Sequence, residues 1–273
     1  KDKMAWRREN VDIVIKMLRD TIKSVKPYVK FGISPYAVWR NKRDDPRGSD
    51  TRSYGYTNYD HLHADILLWM EKGWLDYILP QLYFNIGYEA ADFKILAEWW
   101  QQYSAGTPVY GGLGPYRLEK DAKIADWRSA DQIRKQALML RKMEAYQGVC
   151  YFNAKNFREN RLGINEVMKE LYPNPALVPA LRGFPVTPPQ EPVKVYLRKD
   201  GATTTIVWNR DKLADDAANK TMYHVIYRLK KGVDPVFTDG NNIVAITGEE
   251  SYSVKSNLES EYIYYVSSLD RLY

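Results

Sequence analysis

The sequence predicts an α/β fold, built as four strand-and-helix cycles around a parallel sheet, followed by a separate all-β module. Three observations lead there. Short apolar runs alternate with amphipathic stretches as far as Tyr172. Seven of the 14 prolines then crowd into the segment from Tyr172 to Pro192. Beyond that segment the pattern contains strands and tight turns only.

Residues from about Ala5 to Val25 place Val11, Ile13, Val14, Met17, Leu18, Ile22 and Val25 near a 3.6-residue period, which predicts an amphipathic helix ended by Pro27. Tyr28–Ser34 reads as the first strand, and a polar loop rich in Arg and Asp runs from Pro35 to about Asn58. A helix is predicted over Tyr59–Glu71, on the stripe Leu62, Ile66, Trp69 and Met70, with Gly73 closing it. The next strands are Leu75–Tyr83, Pro108–Gly112 and Gly148–Phe152. Helices follow them at Ala90–Tyr103, Ser129–Gln147 and about Asn165–Leu171. Strands that are apolar along nearly their whole length, each followed by a helix, indicate a parallel sheet covered on both faces.

Two architectures use four such units: a small open doubly wound sheet, or half of an eight-unit barrel, which needs about 250 residues when whole. An open nucleotide-binding sheet would carry a phosphate loop after its first strand, where Ser34-Pro35-Tyr36 stands instead. Gly111-Gly112-Leu113-Gly114 is not followed by Lys-Ser/Thr and is not read as a phosphate cradle. A helix ahead of the first strand suggests a chain that starts in mid-fold, so the second half of a (β/α)8 barrel over residues 1–172 is the favoured reading. Residues 173–192 form a Pro-rich linker or surface strap. Residues 193–273 carry six short strands with a Trp on the second, the pattern of a fibronectin type III-like sandwich lacking its last strand.

Composition narrows the function. Hydrophobic residues at 45% and charged residues at 27% exclude a largely disordered chain. No apolar run approaches the roughly 18 residues of a membrane span. The opening Lys1-Asp2-Lys3 has no apolar h-region, so any signal peptide is expected to have been removed or to lie outside this sequence. The net charge of +6 is mild, and the last 81 residues balance 11 basic against 11 acidic groups, which is no footprint for nucleic acid. A single cysteine, Cys150, excludes an intrachain disulfide and a Cys-based zinc cage. His61 and His63 sit two apart on the predicted helix and so face apart, and no metal or other cofactor is expected.

Three blocks carry a family resemblance. They are Trp6-Arg7-Arg8-Glu9-Asn10-Val11; Lys30-Phe31-Gly32-Ile33-Ser34-Pro35 with Trp39-Arg40-Asn41; and Gly73-Trp74-Leu75-Asp76-Tyr77-Ile78 with Pro80-Gln81-Leu82-Tyr83. In order and spacing, over about Lys3 to Tyr172, they resemble the glycosyl-hydrolase-like family 10 proteins. The resemblance implies a bacterial cell-envelope or secreted barrel protein linked to glycan hydrolysis, with these blocks in the second half of the barrel and a fibronectin-like domain after it. It also implies that the main catalytic carboxylates sit on a fourth barrel strand that would precede Lys1.

The residues at the predicted strand ends agree with that. Ser34, Gln81, Tyr83, Gly111, Gly112, Phe152 and Asn153 include no Asp or Glu, whereas glycoside hydrolysis uses two carboxylates. Of the loop acids, Asp44, Asp45, Asp50 and Glu89 are each read first as solvated or paired with Arg, and Glu89 is the remaining candidate for a second carboxylate. These strands can instead supply a sugar-binding wall. Trp39, Tyr83, Tyr110, Tyr116 and Phe152 offer flat faces for pyranose rings. Gln81 and Asn153 offer hydrogen bonds, and Arg40 can hold a carboxylate or an acetamido carbonyl. Tyr36, Phe84, Tyr88 and Tyr151 are read as packing. The expected parent is a glycoside hydrolase of a β-linked amino-sugar polymer such as peptidoglycan glycan strands, with this chain alone inactive. The alternative is a non-catalytic carbohydrate- or wall-binding protein. Open sheet edges would favour self-association or pairing with the missing half.

Overall fold

The computed structural model describes residues 2–52, 54–179, 188–201, 203–210, 212–213, 219–254 and 261–270. Its chain divides into two units, Lys1–Leu171 and Tyr172–Tyr273. The first is mixed α/β around a four-stranded parallel sheet, and the second holds two three-stranded antiparallel sheets.

Helix α1 (Lys3–Val25) starts where the Asp2 carboxylate accepts the amides of Met4 and Ala5, the side-chain cap that free first-turn N–H groups require. None of its residues is fully buried. Trp6, Ile13, Val14, Met17 and Leu18 stand exposed, while Val11 and Ile15 pack on the core. Lys23 ties the helix to the sheet through Asp76 (2.7 Å), which also accepts the Phe31 amide (2.6 Å). Asp76 is thus structural, as its place near a strand start suggests.

Strands β1 (Gly32–Ile33), β2 (Tyr77–Ile78), β3 (Val109–Leu113) and β4 (Tyr146–Tyr151) pair in that order, all parallel. β1 and β2 are far shorter than their apolar runs, and on their C-terminal sides Pro35 and Pro80 lack an amide to continue the ladder. Isolated parallel bridges Tyr36–Gln81 and Gln81–Gly112 resume the pairing past them. Helices α2 (Ile66–Glu71), α3 (Phe93–Gln102), α4 (Asp131–Leu140), α5 (Lys155–Arg158) and α6 (Ile164–Leu171) complete the unit. Its core holds Trp39, Trp69, Trp100, Phe93, Ile78 and Leu113, all fully buried. Trp69 donates to Asp12 (2.6 Å) and Trp100 to the Ala37 carbonyl (2.8 Å), so these two rings bury without leaving a donor orphaned.

The helix predicted over Tyr59–Glu71 forms only from Ile66. His63 takes a left-handed φ of 55°, and Thr57 binds the His61 ring locally, so Tyr59–Leu62 is a turn. The histidines therefore do not share a helix. Likewise α4 ends seven residues early, and β4 starts at Tyr146 rather than Gly148.

Asp65 caps α2 by accepting the Leu68 amide (3.3 Å). Burial first, and the nearby Asp12 carboxylate, hold the Asp65 carboxyl above its usual range despite that bond. A raised folded-state value means tighter proton binding in the folded chain. The contribution to stability is then full below the unfolded value and is lost as pH rises through the folded one. Asp65→Asn keeps the capping oxygen and removes the charge. It is expected to raise Tm at pH 7 and to flatten the decline in stability above about pH 4, read from thermal melts between pH 4 and 7.

In the second unit β5 (Val193–Asp200), β6 (Thr203–Asn209) and β9 (Ser251–Val254) form one sheet; β10 (Tyr262–Leu269), β7 (Tyr223–Lys230) and β8 (Ile243–Thr247) form the other. All six strands fall within residues 193–273, the stretch the sequence reads as strands and turns only. Ile206 and Trp208 of one sheet meet Ile226 of the other, and the Trp208 ring stands edge-on to buried His224 (5.2 Å). Of the Pro-rich stretch, residues 180–187 lie outside the described residues, as do residues 271–273. Asn174 bonds to Asn241 (2.7 Å), and Leu177 packs on the Val225 cluster.

Candidate functional site

The carboxyl ends of the four strands are brought level by a short backbone relay. Gln81 N–H donates to the Pro35 carbonyl (3.0 Å), Gly112 N–H to Pro80 (2.9 Å) and Phe152 N–H to Leu113 (2.9 Å). Glycine is required at position 112 for this approach: a Cβ there would stand 2.7 Å from the Pro80 oxygen and 3.3 Å from Gln81 Cα. The glycine cluster after Pro108 therefore serves close strand packing, in keeping with its lack of a phosphate-loop pattern.

Over this floor lies a cavity of about 580 Å³, within the range of small-ligand sites. Three rings wall one side. Tyr83 lies 5.7 Å from Tyr116 and 6.0 Å from Phe152, and Tyr116 lies 5.9 Å from Phe152, the two Tyr116 contacts being edge-on. Phe152 is 53% exposed and Tyr116 38%, so apolar faces remain open to solvent. Burial first, then Cys150 and Tyr116, push the Tyr83 phenol up, so it is neutral and a hydrogen-bond donor at pH 7. Gln81 lines the cavity too, its amide donating to the Ser34 carbonyl (3.0 Å).

Of the residues expected at the site, Gln81, Tyr83, Tyr116 and Phe152 line this one cavity. The other expected site residues do not. Trp39 is wholly buried, stacked on Trp99 (6.0 Å) with Tyr59 edge-on (5.3 Å), so no sugar reaches it. Arg40 is engaged by Asp60 (2.9 Å) and Asp45 (3.1 Å) and lies over Tyr59. Burial works against its charge, but those two carboxylates more than offset it and raise its pKa. Tyr110 is the second residue of β3, not its last; its ring meets Tyr77 edge-on (5.7 Å), and burial raises its phenol. Asn153 is exposed, follows a cis peptide from Phe152, and accepts the Lys155 amide at the start of α5 (3.1 Å). Glu89 is 90% exposed and faces Arg52 at 3.7 Å, outside the cavity lining.

Among the cavity residues the sequence reading missed, four carry large side chains. Tyr36 and Phe84, read as packing, line the cavity, as do Tyr56 and Arg117. Tyr36 and Phe84 follow strand ends and could have been found by position. Tyr56 and Arg117 come from loops whose paths no periodicity encodes. Among the described residues no Asp or Glu lines the cavity. Among the described residues no cluster of three or more His, Cys, Asp or Glu could hold a metal.

The architecture is that of an α/β protein with a ligand-sized pocket outside the carboxyl ends of its parallel strands. Residues 1–129 match the model of the family described as Glycosyl hydrolase-like 10. It is similar to the glycosyl hydrolase YngK of Bacillus subtilis (strain 168), 36% identical over 279 residues, which covers 98% of this chain and 52% of that protein. The glycosyl hydrolase DigH of Escherichia coli (strain K12) is 44% identical over 128 residues, 46% of this chain and 29% of DigH. The chain spans about half the length of YngK.

Proposed function

We propose that this chain supplies the glycan-binding wall of a glycoside hydrolase acting on a β-linked amino-sugar polymer, with peptidoglycan glycan strands as the substrate. The observation that carries the reading is the open triangle of Tyr83, Tyr116 and Phe152 beside the polar Gln81. Flat apolar faces stack on the C–H faces of pyranose rings, and an amide reads their hydroxyls. Among the described residues the cavity lining offers no carboxylate for general acid or nucleophile, which supports catalytic acids outside this sequence and binding without cleavage by this chain.

The four parallel units are, in this reading, the second half of a (β/α)8 barrel. Support comes from β1 and β4, each paired on one side only among the described residues, and from the open apolar face of α1. Those surfaces would meet the other half of the barrel or a second copy. A fibronectin type III-like module is supported by the two antiparallel sheets and the buried Trp208 between them. A secreted or cell-envelope location is part of the proposal and rests on the family resemblance.

The test is calorimetric titration of peptide-free peptidoglycan strands into this chain, with product mass spectrometry in parallel on the chain and on full-length YngK. Binding without cleavage by the chain, weakened about tenfold or more by Tyr83→Ala, is the expected result, with cleavage by the longer protein. A tenfold loss corresponds to about 1.4 kcal/mol of binding free energy. Cleavage by the chain alone would misplace the catalytic centre. Binding without cleavage by either protein would favour a non-catalytic wall-binding role.

A further inference from the structure

We infer that the pocket selects a glycan bearing a carboxylate, and that Arg117 is the residue that reads it. The inference rests on the glycan-binding reading and names the charge of the sugar. Arg117 lines the cavity among Ser34, Gln81, aromatic and small residues, and among the described residues it is the one Arg, Lys, His, Asp or Glu in that lining. A single positive charge beside aromatic walls interacts more strongly with an anion than it would in open water.

The state of the guanidinium points the same way. Arg40 is held by two carboxylates, Arg52 faces Glu89, and Arg161 faces Glu159. Arg117 makes no ion pair among the described residues, and its buried Nε has no hydrogen-bond partner there. The guanidinium is nonetheless positioned, 5.5 Å from the Tyr116 ring centre and 5.9 Å from that of Trp127. A planar fork fixed against rings, with donor capacity unspent, matches the two oxygens of a carboxylate better than a lone hydroxyl. The role expected of Arg40 therefore passes to Arg117.

Two kinds of sugar present that group: an amino sugar with a lactyl ether, and a hexuronic acid. The probes are a peptide-free tetrasaccharide of alternating N-acetylglucosamine and N-acetylmuramic acid, the same compound with its carboxyls reduced to alcohols, and a tetrasaccharide of alternating glucuronic acid and N-acetylglucosamine. Each is titrated into wild-type chain and into Arg117→Gln, whose fold is checked by its thermal melt. The expected result is at least tenfold tighter binding of one carboxylated probe than of the reduced one, and loss of that margin in Arg117→Gln with the reduced probe unchanged. Which carboxylated probe binds tighter identifies the sugar. Equal binding of native and reduced forms by wild type overturns the inference and leaves the glycan reading standing. A uniform loss across probes in Arg117→Gln overturns it in favour of a structural role. If no probe binds, the glycan reading fails and the inference with it. The wild-type comparison alone decides the matter should the variant not fold.

Discussion

Trp39→Ala is expected to lower the unfolding free energy by about 3–5 kcal/mol, the range for removing a large aromatic from a packed core. The indole has no exposed surface; Trp99 stacks on one face, Tyr59 meets it edge-on, and Arg47 lies 5.0 Å from the ring centre. Alanine would leave a void among neighbours that two layers of packing hold in place. Its buried Nε1 has no hydrogen-bond partner among the described residues, and an orphaned donor costs about 1–3 kcal/mol. Trp39→Phe, which removes that donor with only part of the volume, is therefore expected to cost much less. Urea unfolding of the two variants checks both figures. A residue on an open sugar wall would instead change stability by no more than about 0.5 kcal/mol, and that result for Trp39→Ala would refute its place in the core.

Gly112→Ala is the second large effect. The added methyl would lie 2.7 Å from the Pro80 oxygen and 3.3 Å from Gln81 Cα, both backbone atoms. Neither rotates away, so the strands must part and the Gly112–Pro80 hydrogen bond must lengthen. Overpacking of this kind costs about 1–3 kcal/mol. Because Gln81 is displaced with the strand, glycan binding should fall together with stability. Gly111→Ala is the contrast: its methyl would meet the end of the buried Leu140 side chain rather than backbone atoms. Equal unfolding free energies for Gly112→Ala and wild type would show that the strand approach is slack.

The parallel order of the sheet and the six antiparallel strands were legible because each rests on local periodicity. Element lengths were less so. Pro35 and Pro80 interrupt β1 and β2, and the left-handed His63 shortens α2, through backbone details that hydrophobic pattern does not carry. The site divided along the same line. Gln81, Tyr83 and Phe152 follow strand ends, so position alone placed them. Trp39 follows one as well, but only tertiary packing sends its ring inward. Arg40 looked available because Asp60, its partner at 2.9 Å, lies 20 residues away. Arg117 looked ordinary because nothing in sequence reveals that its neighbours would supply no carboxylate.

The exposed flank of α1 gives the free chain a colloidal character of its own. Trp6, Ile13, Met17 and Leu18 offer other molecules an adhesive strip, while a net charge of +6 keeps like molecules apart. The two forces differ in range: charge repulsion acts over a Debye length, about 10 Å at 0.1 M salt, and apolar adhesion acts at contact. Raising ionic strength therefore removes the guard and leaves the adhesion. The solution becomes prone to clustering under salting conditions that most well-covered proteins tolerate, and substituting the strip with polar residues would be the direct way to make it forgiving.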